Sequence, residues 1–288
     1  MAMKTTPETV IDSKTWGITE LPYFKDKKAL ILGGAFYGPV VALFAACGFG
    51  KAETVADADL VVFVGGADID PALYNQKPLP HTSFHKARDD MEVDVYIECV
   101  ALRKPMYGIC RGAQFLHAMN GGELWQHVEG HAGPDHVIYD IEEDCYVTAT
   151  SVHHQMLALN DRIDVLACTK DQVSRKFYSD TMVIDLDKEG DNNGVEIEIE
   201  AGAYHDTRCL FVQGHPEIGS DEYRSWCMVK LFDFMRELEE EVADDDDLPW
   251  GADGDPDARY AAAIAAAADA EEVDPQEQIE LWRSVAMM

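Results

Sequence analysis

The chain has 288 residues, 47% of them hydrophobic, enough to bury one sizeable core with appendages. Asp and Glu total 54 against 23 for Lys and Arg, a formal net charge of −31, and such a surface repels phosphate backbones and anionic lipid, so neither nucleic acid nor membrane is expected as a partner. No run reaches the roughly 18 consecutive apolar residues of a membrane span, and "MAMKTTPETVIDSKTWG" lacks the apolar stretch of a signal peptide, which predicts a cytoplasmic protein.

"ALILGG" (29–34) and "LVVFVGG" (60–66) are continuous apolar runs closed by glycine pairs, the pattern of strands buried on both faces of a parallel sheet. Between them, Pro39 to Gly48 carries Val40, Val41, Leu43, Phe44 and Cys47 at helical spacing and stops on a glycine. A second amphipathic helix spans Arg88 to Arg103 with Met91, Val95, Ile97, Val100 and Leu102, and Lys104-Pro105 breaks it before a third strand, "MYGI". This alternation predicts an α/β fold, a doubly wound and mostly parallel sheet flanked by helices.

Past Gly122 the pattern turns to strands: "HVIYDIE", "DVLACT", "VEIEIEA" and "CLFVQG". Asp171 to Asn193 reads as an irregular polar insertion, and a last helix is expected from about Asp221 to Glu240. An acidic linker and an Ala-rich segment of helical propensity follow. The expected organisation is an N-terminal extension (1–25), one catalytic domain (26–240), and an acidic, partly helical tail (241–288). That tail reads as a solvated segment, with anchoring of Leu281 and Trp282 on a partner as the alternative.

Seven scattered cysteines, never in a C-x-x-C pair, argue against a disulfide framework and a thiolate zinc site. His81 and His85 have i,i+4 spacing, but Pro78 and Pro80 place them in a loop, so no metal or other cofactor is expected. His117, His127, His131 and His136 are assigned structural hydrogen bonds.

Cys110 stands where "MYGI" gives way to a helix, with Gly108 and Gly112 two residues to either side. G-x-C-x-G is the cysteine form of a nucleophile elbow: glycines permit a sharp strand-to-helix turn that presents the thiol at a helix N-terminus, where thiolate is favoured. The N–H of Arg111 is then placed to hold an oxyanion. In "FVQGHPEIG", His215 follows an apolar strand and Glu217 stands two residues on, so in an extended chain a carboxylate holds one imidazole nitrogen while the other faces the thiol. Cys110, His215 and Glu217 are the expected triad.

"GGADIDPALYN", "RDDMEVDVYIECVALRKPMYGICRG", "GICRGAQFLHAMNGGELWQ", "SVHHQML" and "VQGHPE" resemble, in order, the motifs of the class I glutamine amidotransferase superfamily, most closely its γ-glutamyl hydrolase branch of peptidase family C26 type, which includes γ-glutamyl-γ-aminobutyrate hydrolases. The resemblance covers roughly Ala29 to Arg236 and implies a flavodoxin-like α/β domain. It implies that Cys110 attacks a γ-glutamyl carbonyl to form a thioester, that His215 protonates the leaving amine, and that Glu217 orients His215. It further implies an oxyanion hole from the backbone of Gly66, Ala67 and Arg111, and a substrate pocket including Gln114, Ser151, His153 and Gln155. Arg88 and Asp89 match a pair of architectural or pocket-wall character. Two features depart from the family: Gly214 replaces an aromatic residue before His-Pro-Glu, and about twenty polar residues precede "VEIE".

The leading expectation is a self-contained hydrolase of γ-glutamyl amides or glutamine. A rival within catalysis is a glutaminase that passes ammonia to a separate synthetase, since the chain has no phosphate-binding G-x-x-x-x-G-K-[ST] loop of its own. A synthetase or a second copy of the chain is then the expected protein partner. Outside catalysis stands a silent binding module of the same fold.

Overall fold

A computed structural model of the chain describes residues 14–188 and 197–245. In chain order its strands are β1 (Lys14–Thr15), β2 (Lys28–Ile31), β3 (Gly50–Lys51), β4 (Leu60–Phe63), β5 (Met106–Ile109), β6 (Leu124–Trp125), β7 (His127–Val128), β8 (His136–Asp140), β9 (Cys145–Ala149), β10 (Met156–Leu157), β11 (Asp164–Thr169), β12 (Lys176–Tyr178), β13 (Val183–Asp185), β14 (Ile199–Tyr204) and β15 (Cys209–Val212). The helices are α1 (Tyr37–Ala46), α2 (Lys86–Ala101), α3 (Arg111–Met119) and α4 (Asp221–Asp245).

Ten strands form one sheet in the order β1-β9-β8-β11-β14-β15-β5-β4-β2-β3. The half from β15 to β3 is parallel throughout, β14, β11, β8 and β9 are antiparallel to their neighbours within the other half, and β1 adds a parallel edge. The expected doubly wound α/β sheet with a parallel majority of pairings is what forms. Its central strands are apolar throughout because both faces are covered. In β4, Leu60 and Val62 face a core shared with Val40, Leu43 and Phe44 of α1 and Trp226, Leu231 and Met235 of α4. Val61 and Phe63 face the opposite core, with Tyr96 of α2 and Phe115 and Leu116 of α3. The period-two alternation of side chains along a strand thus builds two helical layers from one apolar run.

Helix α4 is docked by a buried polar contact as well as by its apolar stripe. The indole N–H of Trp226 donates to Asp140 Oδ2 at 2.7 Å and Lys230 Nζ lies 3.0 Å from the same oxygen. Asp140 is fully buried, and these donors compensate its desolvation.

As far as Lys188, the segment after Asp171 corrects the expectation of an irregular insertion, while residues 189–193 of that stretch lie outside the described ones. β12 and β13 pair as an antiparallel hairpin, and β12 also pairs with β7. Phe177 and Ile184 are buried there with Val128 and Met156. Each strand buries a single apolar side chain, and three residues are too few to show a period. The acidic tail beyond Asp245, including Leu281 and Trp282, lies outside the described residues. No helix among the described residues is long and apolar enough to cross a membrane.

Candidate active site

Three neighbouring parallel strands, β4, β5 and β15, end at the same edge of the sheet, the carboxyl edge where open α/β sheets place their ligands. β5 delivers Cys110, β15 leads through Gln213 and Gly214 to His215, and β4 leads to Gly65 and Gly66. Cys110 adopts φ 53° and ψ −109°, a conformation that side-chain-bearing residues rarely hold. Its N–H stays in the sheet, donating to Val212 O at 2.9 Å, while its carbonyl already accepts from Gln114 N in the first turn of α3.

The flanking glycines have steric reasons to be glycine. A Cβ on Gly112 would stand 2.0 Å from the carbonyl oxygen of Phe63, and one on Gly108 would stand 2.7 Å from the Gly112 carbonyl. Both contacts are with backbone, which cannot swing away. Gly112→Ala is therefore expected to destabilise the fold by at least about 1–3 kcal/mol, read as a lowered urea midpoint with unchanged slope; an unchanged midpoint would mean that α3 and β4 are not this close.

His215 is held on three sides. Its backbone N–H donates to Thr150 Oγ1 at 2.5 Å, Nδ1 lies 2.6 Å from Glu217 Oε1, and Cys110 stands close enough to the ring to act on its charge. Burial pulls the imidazole pKa down, but the proximity of Cys110 and the bonded Glu217 carboxylate outweighs it and raises it to about 10. The geometry brings Cys110, His215 and Glu217 together in the expected order. The thiol is less open than an elbow at a sheet edge suggests, since Cys110 is only 8% exposed. Phe36, itself in the left-handed region at φ 56°, sets its ring edge-on to His215 at 5.1 Å.

The Gly65–Asp70 loop is fixed by charge. Arg88 donates to Val64 O at 2.8 Å, to Gly65 O at 3.1 Å and to Glu92 Oε1 at 2.8 Å. The Arg111 guanidinium, 1% exposed, donates to both Asp89 and Glu92, and Asp89 Oδ2 in turn accepts from the N–H of Asp70 at 3.1 Å. Two guanidiniums and two carboxylates thus tie the loop to α2 and to the elbow. A Cβ on Gly66 would strike Arg88 Nη1 at 2.2 Å, so the loop passes too close to the network for a side chain. Gly66 and Ala67 remain exposed, and Arg111, as the first residue of α3, has an N–H without an intrahelical partner.

Of the expected pocket residues, Gln114 is buried one turn beyond Cys110. Ser151 donates to the carbonyl of His131, and the Gln155 amide donates to Gln126 O at 3.2 Å. His153 is turned toward Glu200, with burial lowering its pKa to about 3. Its neighbour His154 is the one that reaches the Gly65–Asp70 loop, Nε2 lying 2.9 Å from Asp68 Oδ1. Glu92, Thr150, Asp68 and Phe36 were not singled out in the sequence. Only Glu92 left a signal, standing four residues after Arg88 on one helix face; the others meet the site through tertiary contacts.

The family profile of peptidase C26 matches residues 35–217, well over half of the chain. The chain belongs to the peptidase C26 family. Protein NtpR of Enterococcus hirae is 30% identical over 122 residues, covering 34% of this chain and 51% of its own length. A protein of Mycobacterium tuberculosis, provisionally named a glutamine amidotransferase, is 30% identical over 171 residues, covering 57% of this chain and 52% of its own. The chain thus spans about half the length of these two curated relatives. Among solved structures, a glutamine amidotransferase from Thermotoga maritima aligns with a TM-score of 0.45 at 13% identity, over 92% of this chain and 97% of its own. At that similarity it adds nothing to the fold described above. Within this C26 chain, the matched region begins at the loop carrying Phe36 and ends at Glu217, so it encloses every residue discussed for the site.

Proposed function

We propose that the protein hydrolyses γ-glutamyl amide bonds through a γ-glutamyl thioester on Cys110. The observation that carries this reading is the thiol on a strained strand-to-helix turn, beside an imidazole whose Nδ1 rests 2.6 Å from a buried carboxylate. Membership of the C26 family supports it. The Cys110 sulfur attacks the γ-carbonyl carbon, and the N–H groups of Gly66, Ala67 and Arg111 receive the oxyanion. The C–N bond breaks as His215 gives its proton to the departing amine. Water, deprotonated by His215, then cleaves the thioester to release glutamate and restore the thiol. Gln114, Ser151 and Gln155 complete the pocket around the glutamyl group, whereas His153, expected there, is turned toward Glu200 behind it.

A diazo-ketone analogue of glutamine tests the reading: mass spectrometry is expected to find one adduct, on Cys110, and none on the Cys110→Ala variant. Labelling of another cysteine at equal rate would refute it. A second reading, release of ammonia from glutamine to a separate synthetase, draws on 42% identity over 48 residues to the carbamoyl phosphate synthase small chain of Clostridium acetobutylicum, a match to 14% of that protein. Turnover of γ-glutamyl amines by the chain alone supports the first; activity only with a co-purified partner supports the second.

His215→Ala is expected to lower kcat/KM by about 10²–10⁴-fold, the usual cost of losing a general acid–base. Glu217→Gln is expected to lose less, because a neutral amide of the same shape keeps part of the ring's orientation. The pH dependence follows from the raised pKa. A group raised from 6.5 to about 10 on folding contributes stability fully present below pH 6.5 and lost as pH rises through about 10. The stability advantage of wild type over His215→Ala should therefore shrink across that window. Identical profiles for wild type and Glu217→Gln, in both turnover and stability, would remove Glu217 from the triad.

A further inference from the structure

Behind the candidate active site, the carboxylate of Glu200 in β14 sits at the meeting point of three imidazoles. Its Oε1 lies 2.8 Å from His136 Nε2, 3.3 Å from His131 Nδ1 and 3.6 Å from His153 Nε2. His131, His153 and Glu200 are at most 2% exposed. The four side chains come from the loop before β8, the first residue of β8, the loop after β9, and β14, so only the folded chain assembles them. The ligand atoms of His131, His136 and Glu200 all lie within 4.8 Å of one another.

Hydrogen bonding alone leaves this cluster unfinished. His131 Nδ1, His136 Nδ1, both ring nitrogens of His153 and Glu200 Oε2 are buried without a hydrogen-bond partner. Buried polar atoms are rarely left so, and a concentration of them in one place calls for a ligand. The far side of His131 shows which. His131 Nε2 lies 2.9 Å from Glu198 Oε1, and Glu198 accepts from Ser174 N and Val173 N at 2.7 Å each and from the Thr169 hydroxyl at 3.1 Å. A carboxylate so supplied with donors stays charged and accepts a hydrogen bond from the Nε2–H of His131, and in the neutral ring this leaves the lone pair on Nδ1, facing Glu200. The lone pair of Nδ1 and the Glu200 carboxylate then face each other and call for either a second proton or a metal cation between them, and the other orphaned nitrogens of the cluster favour the metal. A carboxylate behind a histidine that points its other nitrogen inward is the arrangement that orients metal-binding histidines.

We propose that His131 Nδ1, His136 Nε2 and a Glu200 oxygen form a site for one divalent transition metal of the zinc type, which His153 Nε2 joins as the fourth ligand by a small turn of its ring. Bonds of about 2.0–2.1 Å in a tetrahedral shell place ligand atoms about 3.3 Å apart, and the separations from Glu200 lie on either side of that value. Three imidazoles select zinc, copper or nickel over magnesium and calcium. With four protein ligands the site is closed, so its role is structural: it clips the Ser151–Gln155 loop and the segment from His131 to His136 onto β14. This departs from the expectation of no metal and from the assignment of His131 and His136 to hydrogen bonding alone.

Full-length protein stripped with EDTA and dialysed is titrated with Zn²⁺ and, separately, with Co²⁺. One Zn²⁺ per chain and a raised melting temperature are expected, with Co²⁺ giving the intense visible bands of a four-coordinate centre and no sulfur-to-cobalt charge-transfer band. The missing sulfur band separates this site from the Cys110–His215 pair. Glu198→Gln should weaken Zn²⁺ binding about 10–100-fold, and His136→Ala should abolish it. If His136→Ala does not fold, Glu198→Gln and the wild-type cobalt spectrum decide. The proposal is overturned by a melting temperature indifferent to Zn²⁺, by the weak spectrum of octahedral cobalt on carboxylates, by a sulfur band, or by unchanged affinity in Glu198→Gln.

Discussion

Replacing Cys110 with alanine is expected to lower turnover of a γ-glutamyl amide by on the order of 10⁴–10⁶-fold, with a far-UV spectrum and unfolding midpoint close to wild type. The chemistry has no second route, because the bond to the acyl carbon is made by this sulfur. The fold has little to lose. The backbone at position 110 is pinned by its own N–H to Val212 and its carbonyl to Gln114, and neither bond uses the side chain. Alanine also meets the positive φ at much the same cost as cysteine. The removed sulfur leaves only a small gap, worth about 1 kcal/mol. Activity and stability measured on the same preparation check this. Activity lost only in proportion to unfolded protein would make Cys110 a packing residue.

The second large effect is on stability. Arg111→Met is expected to cost about 3–5 kcal/mol, since it leaves Asp89 and Glu92, at 2% and 0% exposure, facing each other with a single guanidinium. Desolvation by burial is the main cause of the raised pKa of Asp89, which Arg111 opposes. Without Arg111 the carboxyl protonates or the loop carrying Asp70 opens. Arg111→Lys should recover only part of the loss, because one ammonium does not span two carboxylates as a planar fork does. Urea unfolding with both variants, alongside Asp89→Asn/Arg111→Met, measures the coupling. A loss under about 1 kcal/mol for Arg111→Met would mean that solvent screens the network as it screens surface pairs.

The parallel half of the sheet was legible because local pattern and tertiary environment agree there. "LVVF" and "MYGI" are buried on both faces, and every residue of each strand says so. The elbow was legible for a steric reason: glycine at 108 and 112 is demanded by backbone contacts of 2.7 and 2.0 Å that a Cβ would make, and such demands leave a fixed spacing in the chain. His215 and Glu217 are two residues apart, so their relation too is local. The β12–β13 hairpin escaped because two three-residue strands hold too few positions to show alternation. The group around Glu200 escaped for another reason. Its members lie between 131 and 200, and only the antiparallel pairing of β8, β11 and β14 closes that gap. The Arg88, Asp89, Glu92 and Arg111 network was half visible, as a charge pattern on one helix without its partner on the next.

Gly214, which departs from the aromatic residue of the resembling family, has a neighbour that explains it. A Cβ at 214 would stand 2.3 Å from the hydroxyl of Tyr223 in α4, whose ring is wholly buried against Trp226 at 6.0 Å, and 2.9 Å from the carbonyl oxygen of Thr150. The bulk absent from the catalytic turn has been moved onto the helix that follows it. Positions 214 and 223 therefore compete for one volume that the Thr150 carbonyl bounds from the other side. In evolutionary terms the dependence runs one way: loss of the hydroxyl at 223 can come first and alone, whereas a side chain at 214 can follow only after it and with a shift of the backbone at 150.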